Sequence, residues 1–234
     1  MNLRHVAISL LTRGTKKLSV RAVRNVEYHF SQYGEDIIVS GYFPAAYRGF
    51  FVEVGALHPY RYSNSALFHL RGWRGITIDP NPEAVLEFER ARPEEHHVCA
   101  AVAHETGVLR YQMFSEPAFN RLTSSNVTVA DHALGGGRPI REIDVPVEPL
   151  SKILEGRLPA SRRIDFLSVD CEGTDFDVLR SHDWDRNPVN VVCVEDWDAS
   201  STSAISALMA ARGFEWVGQT HQTRVFKNRK FDLK

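Results

Sequence analysis

The sequence predicts an α/β fold: a doubly wound sheet, mostly parallel, closed by an antiparallel strand and preceded by a helical N-terminal extension. Three observations carry that expectation. From residue 49 onward, short β-branched and aromatic runs alternate with stretches of helical period, the pattern of parallel βαβ units with right-handed crossovers. Two final runs, 215–218 and 224–226, close the chain with no helix between them. No internal repeat or low-complexity tract interrupts the pattern, so residues 31–234 read as one domain and 1–30 as a basic helical extension.

Element by element, residues 50–54 form a buried strand that ends at Gly55. After the Pro59 loop, Ser63 and Asn64 are placed to cap a helix through Leu67, Phe68 and Leu70, which Gly72 stops. Residues 75–79 make a second strand, and Pro80-Asn81-Pro82-Glu83 opens a helix carrying Ala84, Val85, Leu86 and Phe88, with Pro well suited to a first turn. Residues 97–102 read as a third strand, and 108–114 and 143–147 as extra strands flanking a polar loop with Gly135, Gly136 and Gly137. A fourth core strand spans 164–169, a helix follows over Phe176, Val178 and Leu179, and a fifth strand spans 189–194. A helix over 204–209, ended by Gly213, leads to the closing strands.

The chain has 234 residues, 43% hydrophobic and 24% charged, the proportions of an ordinary globular protein. A chain this long buries roughly 70–75% of its unfolded surface, so it needs no disulfide to stay folded. Cys99, Cys171 and Cys193 lie in apolar runs without a C-x-x-C pair, which reads as buried thiols in a reducing cytoplasm and no zinc cluster. Residues 1–30 carry six basic side chains against Glu27 alone; subtraction from totals of 28 basic and 29 acidic groups leaves 22 and 28 for the rest, a net of −6. Nucleic acid is therefore excluded as a partner, because phosphate binding needs clustered cations. No apolar run approaches the roughly 18 residues of a membrane span, and the 6–11 stretch is not expected to be a signal peptide. Peripheral contact of residues 1–30 with anionic lipid stays open beside a loosely packed, solvated leader.

Ligands of an open parallel sheet bind outside the carboxyl ends of its strands. Those ends carry Glu53, Gly55, Ala56 and His58; Asp79 and Pro80; Asp170 and Glu172; and Glu195 and Asp196. The first turn has one glycine where a dinucleotide fingerprint has three, which weighs against NAD or FAD. Asp79 nevertheless suits a carboxylate that accepts both hydroxyls of a ribose. An adenosine ligand without a pyrophosphate satisfies both facts, and S-adenosylmethionine is the obvious one; a turn glycine and a helix-capping aspartate would satisfy them too.

Several motifs resemble the FkbM-type methyltransferases: Ser31-Gln32-Tyr33-Gly34-Glu35-Asp36, Phe51-Val52-Glu53-Val54-Gly55-Ala56, and His58-Pro59 followed by Ser63-Asn64-Ser65. So do Gly72-Trp73-Arg74-Gly75 before Ile78-Asp79-Pro80-Asn81-Pro82, and the stretch from Asp165 to Gly173. The similarity runs from about Phe30 to about Asn228, in order. It implies the class I, Rossmann-like fold and transfer of a methyl group from S-adenosylmethionine to hydroxyls, often of sugars on glycolipids, polysaccharides or glycosylated metabolites. Carried over by residue, it puts Glu53, Gly55 and Ala56 around the methionine part of the cofactor and Asp79 on the ribose. Pro80 falls beside the adenine, Ala101 and Val102 form an apolar wall for it, and the helix start at Asn64 receives the cofactor carboxylate. Cys171 stands where the family usually has Val, and is expected to pack.

A sugar hydroxyl is a weak nucleophile, so a base or a bound metal should help remove its proton. Asp170 is the expected base, with Glu172 and Glu195 positioning the acceptor. Should a metal bind, these three hard-oxygen groups suit Mg²⁺. In the alternative, Glu172 caps a helix and Glu195 pairs with an arginine. His58 is the other candidate base, or a loop-ordering residue. His182 and His221 read as surface or structural, and Trp197 as rim packing or a platform for a pyranose. The loop 115–141 and the 31–36 segment are candidates for the acceptor side. Two other functions stay open: a nicotinamide-dependent oxidoreductase on a similar fold, and a non-catalytic module that binds glycan or a partner.

Overall fold

The computed structural model describes residues 28–123, 138–161, 163–198 and 200–232. The expected extension lies, up to residue 27, outside the described residues, as do Gly135, Gly136 and Gly137. In chain order the elements are α1 (Glu35–Ser40), β1 (Phe50–Val54), α2 (Ala66–Leu70), β2 (Arg74–Asp79), α3 (Pro82–Ala91), β3 (His96–Cys99), β4 (Ala101–Val102), β5 (Gly107–Met113), β6 (Arg121–Leu122), β7 (Arg141–Glu148), α4 (Leu150–Ile153), β8 (Ile164–Val169), α5 (Asp175–Arg180), β9 (Val189–Glu195), α6 (Ala204–Ala211), β10 (Phe214–Thr220) and β11 (Thr223–Asn228).

Among the described residues, seven strands form one sheet in the order β10-β11-β9-β8-β1-β2-β3. β3, β2, β1, β8 and β9 run parallel, and β11 is inserted antiparallel between β9 and β10. The winding reverses between β1 and β8, so their carboxyl ends form the sheet's switch point. Both faces are covered, because the pleat sends alternate residues to opposite sides. Val52 and Val54 join a cluster with Ile153, Val178 and Met209, while Phe51 joins Val39, Phe68 and Trp73 on the other face.

The third expected strand divides in two. It breaks at Ala100, and Ala101–Val102 pairs instead with β7, in a second sheet of order β4-β7-β5-β6. The run is continuous in hydropathy, but the pairing changes sheet halfway along it. The helix after the Pro59 loop starts at Ala66, and neither Ser63 nor Asn64 caps it. Both are drawn onto Glu53 instead. Gly72 ends it as expected: its φ is +88° and the next amide, of Trp73, reaches back to the carbonyl of Phe68 at 3.0 Å. Asn81 caps α3 by accepting the Glu83 amide at 3.0 Å, with Pro82 in the first turn. The three thiols are free, but Cys99 is exposed and Cys171 partly so, leaving Cys193 alone fully buried.

Candidate active site

Gly55 explains how the switch point is built. Its φ is +77°, and a Cβ there would sit 1.7 Å from the carbonyl oxygen of Asp170. β1 and β8 therefore leave the sheet in backbone contact, which only a glycine permits. The Asp170 amide donates to the Val54 carbonyl at 3.0 Å and locks the two ends together.

Two adjoining lobes open above this point. The first is bounded by Gly55, Asp79, Pro80, Ala101, Val102 and Tyr111. The second is bounded by Tyr33, Asn64, Glu195, Trp197 and His221. Asp170, Glu172 and Arg121 line both. The non-glycine residues with left-handed backbone are Leu57, Tyr62, Glu172 and His221, among the described residues, and each lines one or both lobes. Such backbone concentrates where a site's side chains are held ready for a ligand.

In the first lobe the Asp79 carboxylate accepts the amides of Leu57 at 2.8 Å and Asn81 at 2.7 Å, one on each oxygen. Each oxygen keeps a second lone pair for a further donor. Burial pushes this carboxyl up to about 6, against the pull of the two amides. Tyr111, contributed by the second sheet, also lines the lobe. Cys171 lines it as well as packing on the core, and burial keeps its thiol neutral.

At the border, Asp170, Glu172 and Glu195 bring carboxylate oxygens within 4.8 Å of one another. Burial first, then the charges of Asp175, Glu35 and Glu53, push Asp170 up to about 7. Burial, then Asp170, pushes Glu195 well above the carboxylate range. A hydrogen bond with Glu195 pulls Asp170 the other way. Glu195 also accepts the Trp197 indole N–H at 2.9 Å, which holds that ring at the second lobe. Asp175 takes the amides of Cys171 and Gly173 at the start of α5, and it is Asp196 that pairs with an arginine, Arg224.

Other expected site residues make contacts within the protein. Glu53 and Ala56 line neither lobe. The Glu53 carboxylate is buried, accepting the amides of Asn64 at 2.7 Å and Ser65 at 3.3 Å and the hydroxyls of Ser63 and Ser65. Burial raises its pKa, and the charge of Arg92, itself fully buried and held by Ser63 and Ser65, pulls against that rise. The amides of Asn64 and Ser65, just before α2, donate to this carboxylate. Asn64 itself lies at the second lobe, where its amide donates to Ser168 Oγ at 2.9 Å. His58 lines neither lobe: its Nδ1 accepts the amides of Tyr60 and Arg61 at 3.0 and 2.9 Å, the loop-ordering role. His221, in contrast, does reach the second lobe, stacked on Tyr33 with ring centroids 4.7 Å apart. His182 is buried and structural, pushed down to about 4 by burial.

Gln32, Tyr33 and Glu35 bring the 31–36 segment to the second lobe. Tyr111 and His221 were beyond sequence reasoning, since each reaches the site through a tertiary contact that leaves no local pattern. No helix among the described residues is long and apolar enough to cross a membrane.

Residues 53–216 match the model of the Methyltransferase FkbM domain, a span that contains Glu53, Gly55, Asp79, Asp170, Glu172 and Glu195. The chain is also similar to a protein called Methyltransferase 1 from Beauveria bassiana (strain ARSEF 2860), 29% identical over 157 residues. That match covers 59% of this chain and 61% of the relative's length. With the family model covering well over half of its length, the chain belongs to the FkbM methyltransferase domain family.

Proposed function

We propose that the protein transfers a methyl group from S-adenosylmethionine to a hydroxyl of an uncharged sugar or glycosylated metabolite, with Asp170 accepting the proton. The observation that carries this reading is the meeting of two lobes at Asp170, on the switch point of the sheet. The strand order, with its antiparallel insertion, supports the class I methyltransferase arrangement. The first lobe fits the donor: Gly55 lets the ends of β1 and β8 close together at its floor, Asp79 keeps lone pairs for a ribose diol, and Ala101, Val102 and Tyr111 offer apolar surface for adenine. Bound there, S-adenosylmethionine supplies an electrophilic methyl group on a sulfonium.

The residues of this chain then align and deprotonate the acceptor. Trp197, Tyr62, Asn64 and Gln32 line the second lobe, a mixture of aromatic and polar side chains suited to the apolar faces and hydroxyls of a sugar. Asp170 takes the hydroxyl proton as the oxygen–carbon bond forms and the carbon–sulfur bond breaks, with Glu195 orienting it. Near-attack alignment accounts for much of the rate in such displacements. The carboxylates that line the second lobe disfavour acceptors bearing phosphate or carboxylate groups.

Incubation with labelled methyl donor and neutral glycosides, their uronate counterparts and free peptides tests the reading. Label in alkali-stable ethers on neutral glycosides is expected; label in base-labile esters or on nitrogen would contradict it. Since Asp170 must be ionised, kcat/KM should rise with pH through an acid limb near 7, and a flat profile between pH 5 and 8 would remove a titrating base. Turnover is expected to survive EDTA, with the three acids acting on the acceptor directly. Loss on chelation with recovery in Mg²⁺ would reassign the three acids to a cation. Asp79→Asn sets an NH₂ against a backbone donor, because both oxygens now accept amides. Affinity for S-adenosylhomocysteine by titration calorimetry should fall about tenfold to a hundredfold; unchanged affinity would place the ribose elsewhere.

A further inference from the structure

Glu195 and Trp197 give the second lobe one wall, and among the described residues beyond them no helix or strand begins before Ala204. One side chain on a neighbouring strand gathers that loop. Arg224, on β11, is fully buried. Its Nη1 donates to Ser203 Oγ at 3.0 Å and Ser206 Oγ at 2.5 Å, and its Nη2 to the carbonyls of Asp198 at 2.5 Å and Ser200 at 2.8 Å. Asp196 faces it at 3.1 Å, and the Trp216 ring lies 4.8 Å from the guanidinium carbon.

Asp196 extends the network in two directions. Its carboxylate accepts Ser203 Oγ at 2.5 Å, and its amide donates to the Gln222 carbonyl at 2.8 Å. The pair therefore ties the loop bearing Trp197 to the β10–β11 turn bearing His221 and Gln222, which line the second lobe as well. Neither Arg224 nor Asp196 lines either lobe, and nothing they tie down lines the first. A buried ion pair is weak as a source of stability, because desolvation offsets the attraction. A forked guanidinium with four such acceptors does fix geometry.

We infer that Arg224 and Asp196 are positioning residues: a buried clamp that sets the shape of the acceptor lobe and leaves donor binding untouched. This rests on the second lobe being the acceptor's. In the full-length protein, Arg224→Gln should raise the acceptor KM about tenfold or more, with a smaller fall in kcat and S-adenosylhomocysteine affinity within about twofold of the parent. Arg224→Lys, which keeps the charge without the fork, should fall between the two. Hydrogen exchange by mass spectrometry supplies a readout that needs no acceptor: faster exchange confined to peptides over 196–203 and 220–224, with β1 and β2 peptides unchanged. Should Arg224→Gln fail to fold, Ser206→Ala removes one arm of the clamp and should move the same peptides in the same direction. An unchanged KM with unchanged exchange, or parallel loss of donor and acceptor binding with exchange rising everywhere, overturns the inference. Parent protein that methylates no glycoside sinks the proposed function instead, and the exchange pattern still decides the clamp.

Discussion

Replacing Asp170 by Asn should lower kcat by about 10²–10⁴-fold, the range over which a positioned acid or base contributes, while S-adenosylhomocysteine affinity stays within about threefold. Asn keeps the shape of the side chain but cannot take a proton. The Asp170 amide, which locks β8 to β1, is unaffected by the change. Glu195 loses a like-charged neighbour, so its carboxyl falls toward the ordinary range. The variant also carries a stability signature. In the folded protein Asp170 holds its proton up to about 7, against an ordinary value of 3.8. Between those values the folded state binds the proton and the unfolded state does not, so this group's contribution to stability is present at low pH and is lost as pH rises through 7. The melting temperature of the Asn variant should therefore decline less between pH 5 and 8 than that of the parent. Full turnover in Asp170→Asn would take the residue out of the chemistry; an identical melting profile would show that its environment does not hold the proton.

Gly55→Ala should be the most disruptive small substitution at the site. The added methyl carbon would stand 1.7 Å from a backbone oxygen at a φ of +77°. No rotamer relieves that clash, so β1 and β8 must part. Overpacking combined with left-handed backbone strain costs roughly 3 kcal/mol or more, which lowers the melting temperature by roughly 6–12 °C for a domain of this size. Donor binding should be lost with it, since the strand ends that part are the floor of the first lobe. Gly107→Ala is the control, because a Cβ there meets nothing within 4 Å and the backbone is not left-handed. A Gly55→Ala protein as stable as Gly107→Ala would mean that the two strand ends are not in contact.

Much of the site is legible in the sequence, and for a physical reason. In a parallel sheet, acids at the carboxyl ends of apolar runs have no packing role, so Asp79, Asp170 and Glu195 stand out from their positions along the chain alone. Gly55 stands out too, as a lone glycine at a strand end. What local pattern does not carry is which distant segment answers a polar group. Glu53 reads like a ligand-binding acid, yet it is satisfied by Asn64 and Ser65 eleven and twelve residues on. His58 reads like a base, yet two amides of its own loop occupy its Nδ1. Residues 97–102 read as one strand because hydropathy cannot report a change of pairing partner at Ala100. Tyr111, arriving at the first lobe on that second sheet, is hidden for the same reason, and the Arg224–Asp196 pair joins positions 28 residues apart.

A crystal structure of the S-adenosylhomocysteine complex puts the assignment of the two lobes to its most direct test. The ribose hydroxyls should lie within hydrogen-bond distance of the Asp79 carboxylate, the adenine between Val102 and Tyr111, and the sulfur directed at the border where Asp170 stands. A nucleoside seated among Trp197 and His221, or bound with no contact to Asp79, would contradict it.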